Sequence, residues 1–486
     1  MVPVSALLLL ATALCCSAAN TSSNATSPAA AVTAADACSQ LQSSLGTSMV
    51  QTQSSGPEYS IGANFAWSTF NDEENFQPTC IVFPNSTQDV QTAMKVIFQN
   101  GADYAVQAGG HSGMTGWNTV ENGVLISFIN MNSTSYDAEC NTITLEPGIH
   151  WGDASSILQQ YGVSPVGGRI ATVGTGLLLG GGISYLSPAQ GYAADNYVSL
   201  DVVLVNGTLV TATVDNEYSD LFKALKGGGN RFGIYPNSSS EALLAALAHF
   251  IHDTTDPNAV LATTIRTTWE GDSSTEIELD AILVYNGTEA AFNQSFAEFL
   301  SIPFTSAAPQ PLSYLDLLEA VTFPDGLGTL FAASALSGVP VNASIEQYLE
   351  TYRLYNNFTK NFASSTDIAF TLLDFSPVPQ TQIQAGYEKG TNPIVPPLGS
   401  GGYHEILFQV TYLANVTQPP DNVEQGRQFW IDSAPSTPGL PFFLNEADAN
   451  QQVLATYSGY DFLKEVYAKY DPTRFNVEHT QGPLGL

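Results

Sequence analysis

The sequence predicts an α+β protein of at least two structural units, and three features predict it. Strand-like runs alternate with capped, amphipathic helical runs up to about residue 235. Beyond that point, strands with polar and apolar residues in alternation are interspersed with long helices, the pattern of an antiparallel sheet with helices against it. Three glycine clusters, at 108–116, 167–184 and 226–235, fall in the connections of the first unit.

In chain order, MVPVSALLLLATALCCSAA (1–19) reads as a secretory signal peptide, with Ser17 and Ala19 in the −3 and −1 positions of a cleavage site before Asn20. No later stretch offers ~18 consecutive apolar residues, so the sequence predicts no membrane span. Residues 20–75 read as an N-terminal arm, low in complexity and mobile up to about residue 55. CIVFP is a short strand, and STQDVQTAMKVIFQNG is a helix with Ser86 or Thr87 as N-cap and Gly101 at its end. DYAVQ, GVLISF and NTITLEP are strands, and GDASSILQQYG a further helix. In the second unit SSEALLAALAHFIHDT and SIEQYLETYRLYNNFTKNFAS are helices, while VLATTIRTTW, TEIELDAILVYNG and YHEILFQVTYL are strands. FFLN reads as a strand entering a core, and YDFLKEVYAKYDP as a helix that Pro472 stops.

Charge excludes several partners. Against 45 Asp and Glu stand only 13 Lys and Arg, a net charge of −32. Nucleic acid and anionic membrane surfaces need clustered Lys and Arg, so neither is expected as a partner. Eleven Asn-X-Ser/Thr sequons agree with secretion: Asn20, Asn24, Asn85, Asn132, Asn206, Asn237, Asn286, Asn293, Asn342, Asn357 and Asn415. Once Cys15 and Cys16 leave with the signal, Cys38, Cys80 and Cys140 remain. One disulfide and one thiol follow in an oxidising compartment; a Cys38–Cys80 bond would tie the arm to the first strand. Three buried thiols are the alternative. No cysteine or histidine spacing fits a metal.

The glycine clusters carry the chemistry. Glycine lets backbone N–H groups come close to a ligand, and successive N–H groups form anion-binding nests. Three such loops in one unit point to a large ligand carrying a pyrophosphate. They are not Rossmann loops, because no G-x-G-x-x-G opens a first strand–helix turn with an acid ~20 residues on. Nor is there a Gly-Lys-Ser/Thr P-loop.

The motifs V-Q-A-G-G-H-S (106–112), T-V-G-T-G-L-L-L-G-G-G-I-S-Y-L-S (172–187), G-Y-A-A-D-N (191–196) and L-K-G-G-G-N-R-F-G-I (225–234) stand in an order that resembles the FAD-linked oxidases of the vanillyl-alcohol-oxidase superfamily. The berberine-bridge-enzyme-like, hydroxynicotine-oxidase-like branch is the most similar. P-T-C-I-V-F-P-N-S (78–86) resembles that family's opening and Y-D-P-T-R-F (470–475) its close. The resemblance implies a PCMH-type FAD-binding domain of two subdomains over 76–236, a substrate domain with a helix-covered antiparallel sheet over 237–440, and a segment 441–486 that returns to the FAD domain. It implies FAD contacts from Ala108, Gly109, Gly110, His111, Ser112, Gly113, Thr172, Val173, Gly174, Gly176, Gly181, Gly182, Ser184, Asp195, Asn196, Gly233 and Ile234. His111 would bond covalently to the flavin 8α-methyl. A second flavin bond, to cysteine, is not expected, since Ile170 stands at the Cys position of that motif. Val173 resembles the residue found where members react with O₂. The expected partners are a small-molecule substrate and O₂, and a monomer is expected.

The chain departs from the resemblance at two places: the family's strand pair after G-N-R-F-G-I is missing, so that Ile234-Tyr235 runs directly into Pro236-Asn237-Ser238, and F-F-L-N-E-A (442–447) stands where relatives carry Asn followed by Tyr or an acid. Catalytic candidates are Glu446, Gln409 and Tyr460, with Glu405, Asn445 and Tyr457 beside them. Glu446 is read as a base with a pKa raised by desolvation and like charge, suited to mildly acidic pH; a solvated surface acid is the competing reading. Two functions follow. One is a secreted FAD-dependent oxidase that takes hydride from a C–H next to O or N and yields H₂O₂. The other is a secreted glycoprotein that keeps the fold and has lost catalysis through the gap after Ile234.

Overall fold

The computed structural model describes residues 28–228, 240–270, 273–302, 311–320 and 326–486. The signal-like segment, Gly233, Ile234 and the junction that follows them lie outside the described residues.

The structure corrects the mobile arm. Pro28–Leu45 is a helix (α1) whose Ala34, Ala37, Cys38 and Leu41 are buried. Those four positions fall on one stripe at helical spacing, and alanine is the best helix former. Low complexity hid an amphipathic face. Cys38 on α1 is bonded to Cys80 on the strand β2 (Cys80–Val82), and Cys140 is an exposed thiol. Peptide mapping without reduction should recover Cys38 joined to Cys80 and Cys140 alkylated. A cross-link containing Cys140 would contradict this. Removing the bond by Cys80→Ala should lower stability by about 2–4 kcal/mol.

The first sheet is small and has the order β1-β2-β4-β3. β1 (Val50–Gln51) pairs antiparallel with β2, and β4 (Val124–Ser127) runs parallel to β2 and to β3 (Tyr104–Gln107). The crossover between β2 and β3 is the helix α2 (Thr87–Asn100), opened by Ser86, whose side chain accepts from Asp89 N–H, and closed by Gly101 at φ 61°. Two hairpins follow, β5 (Thr134–Asp137) with β6 (Thr142–Leu145) and β7 (Leu200–Val203) with β8 (Leu209–Ala212).

The second sheet has five antiparallel strands, β9 (Ala259–Glu270), β10 (Ser273–Tyr285), β11 (Gly328–Ser337), β12 (Ile368–Val378) and β13 (Tyr403–Tyr412), in the order β10-β9-β12-β13-β11. Its two faces differ in chemistry. Ile265, Leu373, Phe375, Ile406, Phe408 and Val410 pack under the helices α3 (Ser240–Asp253), α4 (Glu346–Asn361) and α5 (Asp421–Ser433) in the main core. The opposite face turns to the first unit and carries Thr264, Asp374, Ser376, Glu405 and Gln409, all buried. The α+β class expected from the sequence is the class observed. Residues 442–447 differ from expectation: Leu444–Glu446 is a 3₁₀ turn, not a strand. Asn445 turns its side chain onto the Leu177 carbonyl (3.1 Å), and such side-chain bonding favours turns over strands.

Candidate active site

The loop after β3 is held by its carbonyls. Gly110 O accepts from Trp67 N–H (2.9 Å) and from the Asn118 amide (2.9 Å), and Gly109 O lies 3.0 Å from His150 Nε2. Asn71 donates to the carbonyls of Ser112 and Met114 and accepts from Gly116 N–H (2.7 Å). Glycine is required here: a Cβ on Gly109 would lie 2.7 Å from Gly174 Cα, and one on Gly110, at φ 70°, would lie 2.5 Å from the Phe65 carbonyl oxygen. Two of the glycine clusters therefore touch, backbone to backbone.

His111 sits in this cradle, 6% exposed, with its ring stacked on Trp67 at 4.5 Å and 11°. Burial, with His150 nearby, pushes its pKa down to about 3. The imidazole is thus neutral at any physiological pH, the state in which a ring nitrogen carries a lone pair.

A cavity of about 2250 Å³ opens beside this loop. Ala108, Gly109, Gly110, His111, Ser112 and Gly113 line it, as do Val173, Gly174, Gly176 and Asn196. Four other predicted contacts stand behind its wall. Gly181 and Gly182 have φ of 91° and 76° and pack on Tyr192, Leu177 and Ala193. Ser184 binds the Tyr314 hydroxyl (2.9 Å), and Asp195 accepts from Tyr192 N–H and the Asn392 amide. These four shape the loops. Thr172 is exposed and does not line the cavity.

A second polar cluster lies where the polar face of the five-stranded sheet meets the 167–186 segment. Arg169, 5% exposed, donates to Ser376 Oγ (2.9 Å) and lies 3.8 Å from Glu446 Oε1. Ser376 donates to Asp374, which also accepts from Thr264. Glu405 is the cross-strand neighbour of Ser376. Neither carboxyl oxygen of Glu446 has a hydrogen-bond partner among the described residues. Burial, opposed by Arg169 and reinforced by Asp374, pushes the Glu446 carboxyl up to about 8. Burial and then Glu446 raise Glu405, and burial raises Asp374 against the pull of Arg169. Glu446 is fully buried, so the solvated-surface reading falls. Its pKa lies higher than a mildly acidic working range needs. Asn445, bonded to Leu177 O, ties this cluster to the cavity wall, since Leu177 lines the cavity.

Gln409 lies on the same sheet face, fully buried, its amide donating to Thr411 Oγ1 (2.8 Å). The Tyr460 hydroxyl is committed elsewhere, to the Gly485 carbonyl (2.6 Å). Sequence reasoning missed Trp67, Asn71, Asn118, His150, Arg169 and Asp374. Arg169 lies inside the second glycine cluster, beside Ile170, and was passed over there; the other five belong to no motif that announces a ligand.

Raised carboxyl pKa values make stability depend on pH. A carboxyl whose folded pKa lies above its unfolded value keeps its proton longer when folded, so stability is highest below the unfolded value and falls as pH rises through the folded one. For Glu446 that window runs from 4.5 to about 8. The melting temperature should fall across it, and Glu446→Gln should recover about 5 °C at the alkaline end. An identical pH slope in the variant would show that Glu446 ionises normally.

Comparison with known proteins agrees with this geometry. The FAD binding domain family matches residues 78–213. A FAD-dependent monooxygenase of Arthrobotrys oligospora is 30% identical over 436 residues, covering 82% of this chain and 80% of the relative. The chain belongs to the PCMH-type FAD-linked oxidoreductases. The bifunctional solanapyrone synthase of Alternaria solani is 28% identical over 84% of this chain and 82% of its own length. Among solved structures, 6-hydroxy-D-nicotine oxidase from Arthrobacter nicotinovorans superposes with a TM-score of 0.69 at 18% identity, covering 88% of this chain and 95% of that one. A berberine bridge enzyme variant gives 0.68 at 15%, covering 93% and 100%. These structures share the fold. The residues present fit FAD: glycines whose Cβ would fill the cradle, a cavity large enough for a dinucleotide, and a neutral histidine beside it.

Proposed function

We propose that the protein is a secreted oxidase in which FAD is bonded to His111 and to no cysteine. It would remove hydride from a C–H next to O or N of a small molecule and yield H₂O₂. FAD, when bound, supplies the acceptance of the hydride and the delivery of two electrons to O₂. The observation that carries the reading is the buried Glu446, 3.8 Å from Arg169 and joined through Asn445 to the cavity wall.

Glu446 takes the proton from the substrate O–H or N–H as the C–H bond breaks. Arg169 stabilises the ionised carboxylate; the nearby Asp374 charge opposes it and keeps the base strong. Glu405 and Gln409 present further polar groups from the sheet. Ile170, buried where a cysteine would make the second bond, supports single attachment. All eight sequon asparagines among the described residues are exposed, as glycan acceptors must be. No helix among the described residues is long and apolar enough to cross a membrane.

Mixing the chemically reduced protein with O₂ tests the oxidase reading without a known substrate. Rapid reoxidation with one H₂O₂ per flavin is expected. Relatives named FAD-dependent monooxygenases raise the other fate of oxygen, and label from dioxygen appearing in an organic product would move the assignment to that activity. A protein without flavin would favour the inactive glycoprotein.

A further inference from the structure

The cavity that begins at His111 is walled at its other end by the last residues of the chain. After the helix α6 (Tyr460–Tyr470), Asp471 caps the short helix Phe475–His479, accepting from the N–H groups of Phe475 and Asn476. Phe475 packs into the core of the first sheet with Tyr104 and Val124, so this helix is firmly seated. Beyond it the character changes. Residues 480–486 form neither helix nor strand, and every one of them lines the cavity.

The attachments of this segment are few. His479 pairs with Asp103 (2.9 Å), the Tyr460 hydroxyl donates to Gly485 O (2.6 Å), and Arg474 donates to Leu486 O (2.8 Å). Gln481 approaches Gly116, with its Cγ 3.4 Å from the place a Cβ on that glycine would take. Gly116 belongs to the same loop as His111. One loop thus holds the predicted flavin anchor at one end and meets the closing segment at the other.

The cavity wall also carries exposed apolar side chains. Val198 is 66% exposed, Val106 41% and Leu484 38%, and all three line the cavity. Exposed apolar side chains gathered on one concavity mark a place where an apolar ring is covered. With the isoalloxazine at His111, the part of FAD that reaches this wall is the nucleotide half.

We propose that residues 480–486 form a strap over the nucleotide half of FAD, latched by Tyr460 and the His479–Asp103 pair, and that the strap sets how fast unlinked FAD leaves. A segment held by two carbonyl acceptors beyond the His479–Asp103 hydrogen bond opens at low cost, so it can admit the cofactor and then close on it. This gives Tyr460 a role in retaining the cofactor.

The inference rests on FAD being the occupant, and its test separates the two. All proteins carry His111→Ala, which makes release reversible whatever the linkage. FAD release on dilution is followed by the rise in flavin fluorescence, with circular dichroism to verify the fold. Deleting residues 481–486 should speed release about 10-fold or more, equivalent to roughly 1.4 kcal/mol of lost contacts. Tyr460→Phe and His479→Gln, which leave the chain length intact, should each speed it about 3-fold, and they decide the matter where the deletion does not fold. Release within twofold of the parent in the folded variants overturns the strap while leaving FAD in place. A parent protein that binds no FAD overturns both.

Discussion

The His111→Ala protein should carry no flavin through acid precipitation, whereas the parent should carry close to one per chain. The expectation begins with position. His111 is buried on a loop whose glycines touch the second glycine cluster, a packing that brings backbone and ring to the cavity together. It continues with protonation. With its pKa pushed down to about 3, the imidazole is neutral and its ring nitrogen keeps the lone pair that a covalent bond to the flavin would use. Stacking on Trp67 and the carbonyl contacts of Gly109 and Gly110 fix the ring and its loop. The variant keeps the glycine cradle and should still bind FAD reversibly. Mass spectrometry of the parent should find the flavin mass on the peptide containing His111 and on no cysteine peptide. Acid-stable flavin in the variant would displace His111 from the role.

Glu446→Gln should leave flavin content unchanged and slow anaerobic flavin reduction roughly 10²-fold or more. The substitution keeps the size of the side chain and removes the site of proton acceptance. In the parent, reduction should speed up as pH rises toward about 8, the value to which burial and Asp374 push this carboxyl against Arg169. The variant should lose that limb. Arg169→Met should move the limb to higher pH, since it removes the only cation within 4 Å of Glu446 among the described residues. A full rate in Glu446→Gln would pass the proton to another group, with buried Tyr457 the first to examine.

The fold was legible wherever the sequence carried period or punctuation. Ser86 and Gly101 bracket α2, and Tyr403–Tyr412 forms a strand with Glu405 and Gln409 on one face. Helix α1 escaped because half of its buried stripe is alanine, which reads as low complexity beside serine and threonine. The site was legible where glycine motifs stand in order, and His111 with its neighbours does line the cavity. Local order does not report tertiary pairing. Arg169 meets Glu446 and Ser376 across two units, and Trp67 reaches His111 from a loop without periodicity. The motifs also placed Asp195 and Ser184 in one group with the cavity glycines, although these two support the loops from behind.

The visible absorbance of the full chain, purified in its native state and measured before and after acid precipitation, tests the central claim most directly. Flavin bands that stay with the precipitated protein are the predicted result. A colourless protein that also takes up no added FAD would contradict it.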